Sequence, residues 1–226
     1  MTGTALVVAG LAVLGWVFIV WQWNDPFTGL YTRWQQHRLA HTYAHVVSEY
    51  RPAHVPHAAT AVIERRTVAL EARRYRLKEH VGAPIGRIIV PRLGLRMLLV
   101  NGTDHDSLIK GPGRDARTFM PGEGQLVYIA GHRTTYLAPF AHIDAMRPGD
   151  RITLEMPYAT VIYEVTGHVI VDAHDLAVLR SHNRERLALQ ACHPRFFATH
   201  RYIVWANPVR IILPDGRSFR PTLSVT

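Results

Sequence analysis

The sequence predicts a mainly β protein, in which short strands close into an antiparallel barrel with short helices, preceded by an N-terminal apolar helix and a basic helical segment. After Gly82, at least seven short runs rich in Val, Ile, Leu and Tyr alternate with turn residues. Only two brief stretches in that part, residues 104–110 and 137–144, are typical of helix. The roughly 130 residues from position 85 to 214 are enough to bury one core.

Composition and charge limit the class of protein. With 48% hydrophobic and 19% charged residues, the chain has the composition of a globular protein and not of a disordered one. The 26 Lys and Arg residues exceed the 17 Asp and Glu residues, which gives a net charge of +9. This excess predicts contact with something anionic, either nucleic acid, lipid headgroups or an anionic polymer.

The N-terminus predicts a membrane anchor over residues 1–24. Its 17 residues 5–21, ALVVAGLAVLGWVFIVW, are continuously apolar, and no charged side chain precedes Asp25. As a helix they would span about 26 Å, near the lower limit for a bilayer core. A cleaved signal peptide would need a basic start and a small-residue cleavage site, and neither is visible. A buried helix is the other alternative. The first basic residue, Arg33, follows the span and weakly favours a cytoplasmic domain.

Residues 25–84 predict a basic, surface-exposed helical stalk next to that anchor. Two helical stretches, residues 32–50 and 61–80, are separated by RPAHVPH, whose Pro52 and Pro56 interrupt a helix. Nine Lys and Arg residues against four Glu residues suit a segment close to anionic lipid headgroups. Nucleic-acid binding is a more specific alternative for this basic segment, but no helix-turn-helix, zinc-finger or RNA-binding signature is present.

Three histidines on the first of these helices could suggest a metal site. His37, His41 and His45 are spaced four residues apart and therefore share one helix face. No carboxylate or thiol accompanies them, so a solvated histidine face is the preferred interpretation. The sequence predicts neither a metal nor another cofactor.

The barrel is predicted over residues 85–214, with a loosely held tail over residues 215–226. Turn signals such as Asn101–Gly102, Pro121–Gly122 and Asp215–Gly216 separate the strands. The predicted strands cover residues 85–91, 95–100, 125–130, 150–155, 160–171, 187–192 and 202–212.

The single cysteine of the chain, Cys192, ends one of these strands. If residues 187–192 alternate, Leu189 and Ala191 share one face, whereas Gln190 and Cys192 share the other. A free cysteine is often a small core residue, and that interpretation stays open. A cysteine nucleophile instead needs a nearby histidine, and often a cation to stabilise an oxyanion.

Several residues could be partners of that cysteine. His132 follows a strand and a glycine in YIAGHRTTY, which suits a side chain at a barrel rim. His193 is adjacent to Cys192, but neighbours on an extended chain point apart. If the strands of Cys192 and Arg201 pair through HPRFFATH, both side chains can face one cleft, where arginine could stabilise an oxyanion. A solvated loop histidine and a salt bridge on the barrel wall are the alternatives for His132 and Arg201.

Taken together, these motifs resemble those of the sortase family. GHR at 131–133, PF at 139–140, PGD at 148–150, and LxxC at 189–192 with an arginine nine positions later occur in the order typical of sortases. The longer forms GHRTTY and CHPRF resemble the class E branch of actinobacteria. The resemblance covers residues 85 to about 209. It implies a sortase-type barrel of about eight strands and a membrane-anchored cysteine transpeptidase whose catalytic domain is extracytoplasmic.

The resemblance also implies a role for each site residue. Cys192 would attack the Thr–Gly carbonyl of an LAXTG-type or LPXTG-type sorting signal, His132 would exchange the proton, and Arg201 would bind the oxyanion. Substrate-binding residues would be Tyr136, Ala191 and His193. Tyr136 could equally be packed within the barrel. The expected partners are secreted proteins that carry the signal, a peptidoglycan precursor amine and the membrane, without nucleic acid.

One departure and two alternatives accompany this resemblance. The family's TLxTC is ALQAC here, so alanine replaces both threonines and removes a hydroxyl before the cysteine. Losing one oxyanion donor could cost about 10²-fold in rate. A pilin-polymerising or hydrolytic sortase is one alternative. A non-enzymatic, membrane-anchored barrel that binds a wall polymer, with Cys192 buried, is the other.

Overall fold

Three long helices precede the barrel. The computed structural model describes residues 2–23, 26–53 and 60–221. The helices are α1 (Thr2–Trp23), α2 (Pro26–Glu49) and α3 (Ala61–Lys78). Thr60 caps the N-terminus of α3, because its side-chain oxygen accepts a hydrogen bond from the backbone N–H of Ile63.

A closed β-barrel follows, as predicted. Four short helical turns lie between its strands: α4 (His105–Leu108) and the 3₁₀ turns Pro91–Leu93, Ile143–Ala145 and Leu176–Leu179. The strands are β1 (Pro84–Val90), β2 (Leu95–Asn101), β3 (Gly113–Arg114), β4 (Leu126–Ala130), β5 (Arg151–Glu155), β6 (Thr160–Asp172), β7 (Arg186–His193), β8 (His200–Ile212) and β9 (Ser218–Phe219). Their order is β6-β5-β1-β2-β3-β4-β7-β8-β9, and pairing of β6 with β8 closes eight of them into the barrel.

Two strand pairs depart from the predicted antiparallel arrangement. β2 pairs in parallel with β3, and β4 pairs in parallel with β7. In the second pair, Ala130 is the partner of Gln190, and the N–H of Gly131 donates to the Gln190 carbonyl at 3.0 Å. Because parallel strands end at the same edge of a sheet, the residues that follow Ala130 and Gln190 emerge side by side.

The helices α2 and α3 pack against the barrel, so they are less exposed than predicted. Val68, Ala72 and Tyr75 of α3 are buried in the main core, together with the inward-facing strand residues. On α2, Leu39 and Tyr43 form a second cluster with residues of β2. The physical reason is that both helices bury apolar side chains against the barrel. On α3, Glu64 and Glu71 are buried as well, and their carboxylates accept hydrogen bonds from Arg217 and the Tyr50 hydroxyl. At the C-terminus, Ser218–Phe219 pairs with β8, and residues 222–226 lie outside the described part.

The predicted transmembrane anchor is not supported. Within residues 2–23, 26–53 and 60–221, no helix combines the length and the apolar character needed to cross a membrane. The prediction of a transmembrane helix over residues 1–24 is therefore wrong, and with it the prediction of a single-pass membrane protein. The physical reason is that the apolar run of 17 residues lies at the lower limit of what a bilayer core requires, so the prediction had no margin in length.

Candidate active site

A groove of about 290 Å³ lies where β4 and β7 end, and it brings His132, Cys192 and Arg201 together. These residues come from three separate segments: the loop after β4, the end of β7 and the start of β8. The groove is further lined by Thr103, Leu108, Asp115, Arg117, Tyr128, Ala130, Gly131, Ala173, Asp175, Leu176, Val178, Leu179 and Gln190.

Strand pairing positions the cysteine and the arginine. Cys192 on β7 is the direct antiparallel partner of Arg201 on β8, as the sequence predicted for a cleft between these strands. Gln190 and Cys192 line the groove, while Ala191 is fully buried in the core, so the predicted alternation is confirmed. The Cys192 thiol is free and only partly buried, which differs from the alternative of a core cysteine.

Close packing positions His132. A Cβ added to Gly131 would lie 2.7 Å from the nearest atom of the Phe140 ring and 3.1 Å from Pro139, so only glycine fits at this point. The carbonyl of His132 accepts a hydrogen bond from the N–H of Phe140 at 3.1 Å. The loop is thus fixed immediately before and at the histidine, which directs the imidazole into the groove.

The surroundings of His132 favour its neutral form. Burial, and secondly the nearby His105, lower the pKa of the His132 imidazole below its ordinary value. Its Nε2 atom is buried and has no hydrogen-bond partner among the described residues. A neutral imidazole with an unpaired nitrogen can accept a proton from a group that enters the groove.

Arg201 is held at the edge of the groove by the loop that precedes it. Its Nη1 atom donates to the carbonyls of Ala198 at 2.7 Å and His200 at 3.0 Å. No carboxylate forms a salt bridge with Arg201 in the described part of the chain. Because a guanidinium carries five N–H donors, two bonds from one nitrogen leave donors on the others for a ligand.

The other predicted binding residues occupy different positions. Tyr136 lies beside His132, with ring centroids 5.1 Å apart, but does not line the groove itself. The Ala191 methyl lies in the core, so only the backbone of this residue is close to the site. The His193 side chain contacts Arg133, with Nδ1 3.1 Å from Nη1, instead of lining the groove.

Sequence reasoning missed the role of Arg133, although this residue is part of the GHR motif. Its side chain is only 4% exposed and forms a salt bridge with Asp144 at 2.9 Å. It also donates to the carbonyls of Cys192 at 3.4 Å and Ala141 at 3.5 Å. Arg133 therefore ties the end of β7 to the loop of His132. The sequence did contain an indication of this role, because Arg133 is a charged residue next to His132 in a run of otherwise uncharged residues.

An ion pair on the groove wall was also missed. Arg117 binds both carboxylate oxygens of Asp115, at 3.0 and 2.7 Å. Burial opposes ionisation of Asp115, but these hydrogen bonds outweigh it, so the pKa of the carboxyl is lowered and it stays charged. Leu176, Val178 and Leu179 of the 3₁₀ turn Leu176–Leu179 form an apolar part of the wall.

The predicted histidine face on α2 is solvent-exposed. His37, His41 and His45 all have exposed side chains, and His45 lies 3.3 Å from the Glu49 carboxylate. Among the described residues, no group of three or more His, Cys, Asp or Glu side chains is arranged to hold a metal ion.

Comparison with known proteins identifies the family. A model of the Sortase domain family matches residues 88–209. Sortase D of Bacillus subtilis (strain 168) is 30% identical over 136 residues, which cover 58% of this chain and 67% of that protein. Sortase SrtE1 of Streptomyces coelicolor (strain ATCC BAA-471 / A3(2) / M145) is 28% identical over 90 residues, which cover 36% of this chain and 26% of that protein.

Solved structures agree with this result. Sortase E from Streptomyces avermitilis superimposes with a TM-score of 0.53 at 28% identity, over 63% of this chain and 93% of that chain. SrtA sortase from Actinomyces oris superimposes with a TM-score of 0.57 at 26% identity, over 66% of this chain and 91% of that chain. The similarity to class E sortases is therefore confirmed, and it extends to a class D enzyme. With a family match over more than half of its length, the chain belongs to the sortase family and is a cysteine transpeptidase.

Proposed function

We propose that this sortase cleaves an LAXTG-type or LPXTG-type sorting signal between Thr and Gly and transfers the acyl group to an amine of a cell-wall precursor. The observation that carries this proposal is the convergence of Cys192, His132 and Arg201 on one groove. A thiol, an imidazole with an unpaired nitrogen and a permanent cation are the groups that acyl transfer through a thioester requires.

The proposed reaction has two halves. In the first, Sγ of Cys192 attacks the threonine carbonyl carbon, and the thiol proton passes to His132. The C–N bond to glycine then breaks, the imidazolium returns its proton to the departing amine, and a thioester remains. In the second, the acceptor amine attacks that thioester and gives a proton to His132. The C–S bond breaks, the new amide is released, and the thiolate regains the proton.

Arg201 is proposed to stabilise the oxyanion of both tetrahedral intermediates. The residue before the cysteine is Ala191, so it offers a backbone N–H but no hydroxyl. Its methyl is buried in the core, and no side-chain donor therefore reaches the groove from this position. We infer that oxyanion stabilisation depends strongly on Arg201, and that Arg201→Ala lowers kcat by about 10²-fold or more.

Mass spectrometry of the full chain tests this proposal. The enzyme is mixed with an LAXTG or LPXTG peptide and triglycine, and the variants are Cys192→Ala, His132→Ala and Arg201→Ala. The exposed His80 and Arg96 supply the matched controls His80→Ala and Arg96→Ala. We expect a product joined at threonine from the wild type and the controls, and none from Cys192→Ala.

Other outcomes separate the alternatives. A free threonine acid in place of the joined product would identify a hydrolytic enzyme, and joining only to a lysine-containing pilin peptide would identify a polymerising one. No acyl adduct with either signal, together with a Cys192 thiol that resists alkylation, would overturn the proposal. The polymer-binding alternative would then be tested by sedimentation with an anionic wall polymer.

A further inference from the structure

A second cavity, of about 80 Å³, lies beside the groove and is lined by basic side chains. The two cavities share Val178 of the 3₁₀ turn Leu176–Leu179. The second cavity is lined by Leu126, Ala177, Val178, Arg180, Ser181, His182, Arg184, Arg186 and Trp205, and no acidic side chain is among them. We call it the basic pocket. Three arginines and one histidine therefore line it, of which Arg186 is partly buried and the other three are exposed.

The guanidinium of Arg186 is held in place by an aromatic ring. It lies over the Trp205 ring at 3.9 Å from the centroid, and its side chain is partly buried. Stacking of this kind fixes the plane of the guanidinium before any ligand binds. Burial, and secondly the charge of Arg184, lower the pKa of Arg186, which indicates that the positive charges here are not compensated.

The loop that carries the other basic residues is attached to the barrel. Ser181 Oγ accepts a hydrogen bond from the Leu126 N–H at 2.8 Å and donates to the side-chain oxygen of Gln125. The N–H of Arg180 donates to the Ala177 carbonyl at 3.1 Å. The backbone between Arg180 and Arg184 is thus tied to β4 on one side and to the 3₁₀ turn on the other.

Glu185, the one acidic residue within residues 176–186, is not among the residues that line the pocket. Glu185 is buried, and its carboxylate accepts hydrogen bonds from the N–H groups of Gly122 at 2.8 Å and Gly124 at 3.0 Å. The Tyr163 hydroxyl donates to it at 2.6 Å. Elsewhere on the barrel arginines have carboxylate partners, for example Arg92 with Asp150. The arginines of the basic pocket form no salt bridge within the described residues.

We propose that the basic pocket binds a phosphate group, either as free phosphate or as part of a phosphate ester. Its volume of about 80 Å³ exceeds the roughly 10–15 Å³ that a cavity needs to hold one water molecule, so one tetrahedral anion fits. The planar fork of a guanidinium matches phosphate oxygens in bidentate fashion. A carboxylate carries a single charge and two oxygens, and would leave most of these donors unmatched. The shared Val178 places the bound anion beside the substrate groove.

Isothermal titration calorimetry of the full chain at low ionic strength tests the proposal. The ligands are inorganic phosphate, pyrophosphate, glycerol 3-phosphate and, as the carboxylate comparison, acetate. The variants are Arg184→Gln and Arg186→Gln, with Arg96→Gln as the control because Arg96 is an exposed arginine outside the pocket. We expect each pocket variant to weaken phosphate binding by about tenfold or more, and the control to stay within about twofold.

The ligands also distinguish the source of the phosphate. Equal binding of phosphate and glycerol 3-phosphate would support recognition of the anion alone, whereas tighter binding of the ester would support recognition of its carrier as well. Acetate binding as tight as phosphate binding would overturn the proposal. So would an affinity that is the same in the wild type, the pocket variants and the control. Circular dichroism of each variant separates loss of binding from loss of folding.

Discussion

Replacement of Arg133 tests whether this buried side chain holds the two halves of the active site together. Arg133 connects the loop of His132 to the Cys192 carbonyl and to Asp144. Arg133→Met removes the charge and the donors but keeps much of the apolar stem, whereas Arg133→Lys keeps the charge and loses the planar fork. We expect both substitutions to lower stability and activity, and methionine to do so more strongly.

The contacts of Arg133 set the size of the effect. Asp144 is 55% exposed and returns to solvent when its partner is removed, so the cost stays below the roughly 3–5 kcal/mol of a broken buried ion pair. The screened pair contributes about 0.5–1 kcal/mol. The two carbonyl contacts, at 3.4 and 3.5 Å, are long and together contribute about 1.5–2 kcal/mol. Arg133→Met should therefore lower the free energy of unfolding by about 2–3 kcal/mol, and Arg133→Lys by about half of that.

Denaturant unfolding measures the loss of stability, and kcat/KM measures the loss of activity. Asp144→Asn is the comparison variant, because it removes the ion pair but leaves the carbonyl contacts of Arg133 in place, and it should cost less than Arg133→Met. If Arg133 positions the end of β7, kcat/KM falls for Arg133→Met at a temperature where the protein is fully folded. Equal losses for Arg133→Met and Asp144→Asn, or an unchanged kcat/KM, would refute this reasoning.

Three further predictions concern packing and ionisation. Gly131→Ala should lower the free energy of unfolding by about 1–3 kcal/mol and reduce kcat, because the added Cβ meets the Phe140 ring. The control Gly167→Ala adds its Cβ in open space, so unfolding and rate assays should show no change in stability or in kcat. His105→Gln should raise the pKa of His132, measured by NMR titration, but not to its ordinary value, because burial remains. Burial raises the pKa of the Glu185 carboxyl, so the stability linked to its neutral form is complete below pH 4.5 and is lost as pH rises through the folded pKa. Glu185→Gln should remove that pH dependence and cost about 1–3 kcal/mol, because an amide N–H₂ then faces a backbone donor.

Specific results would contradict each of these predictions. Full activity of Gly131→Ala would mean that the loop of His132 tolerates displacement. An unchanged titration of His132 in His105→Gln would remove the electrostatic link between the two rings. The pKa of His132 is lower in the folded state than in the unfolded chain, so the unfolded chain binds a proton first on acidification. The stability that neutral His132 provides should therefore fall only below pH 6.5. A stability profile of Glu185→Gln that matches the wild type would show that Glu185 does not titrate as described.

The sequence by itself determined the features that depend on local patterns. Alternation along residues 187–192 correctly separated the core-facing Ala191 from the groove-facing Cys192, because side chains of a strand point to opposite faces in turn. The sequence analysis treated pairing of the strands of Cys192 and Arg201 as a condition for a shared cleft, and the structure meets this condition. Turn residues and β-rich runs predicted the closed barrel. The motifs predicted the sortase family, whereas the catalytic roles of the site residues stay predictions.

Only the tertiary structure decided the features that join distant segments. The parallel pairing of β4 with β7 sets His132 beside Cys192 across 60 positions of sequence, and no local pattern specifies a partner at that distance. The burial of Arg133 and its contact with His193 likewise join the loop of His132 to the end of β7. Apolar length alone also misled the prediction of a membrane span. A membrane span needs sufficient length and apolar character in one helix, and no helix of the described residues combines the two.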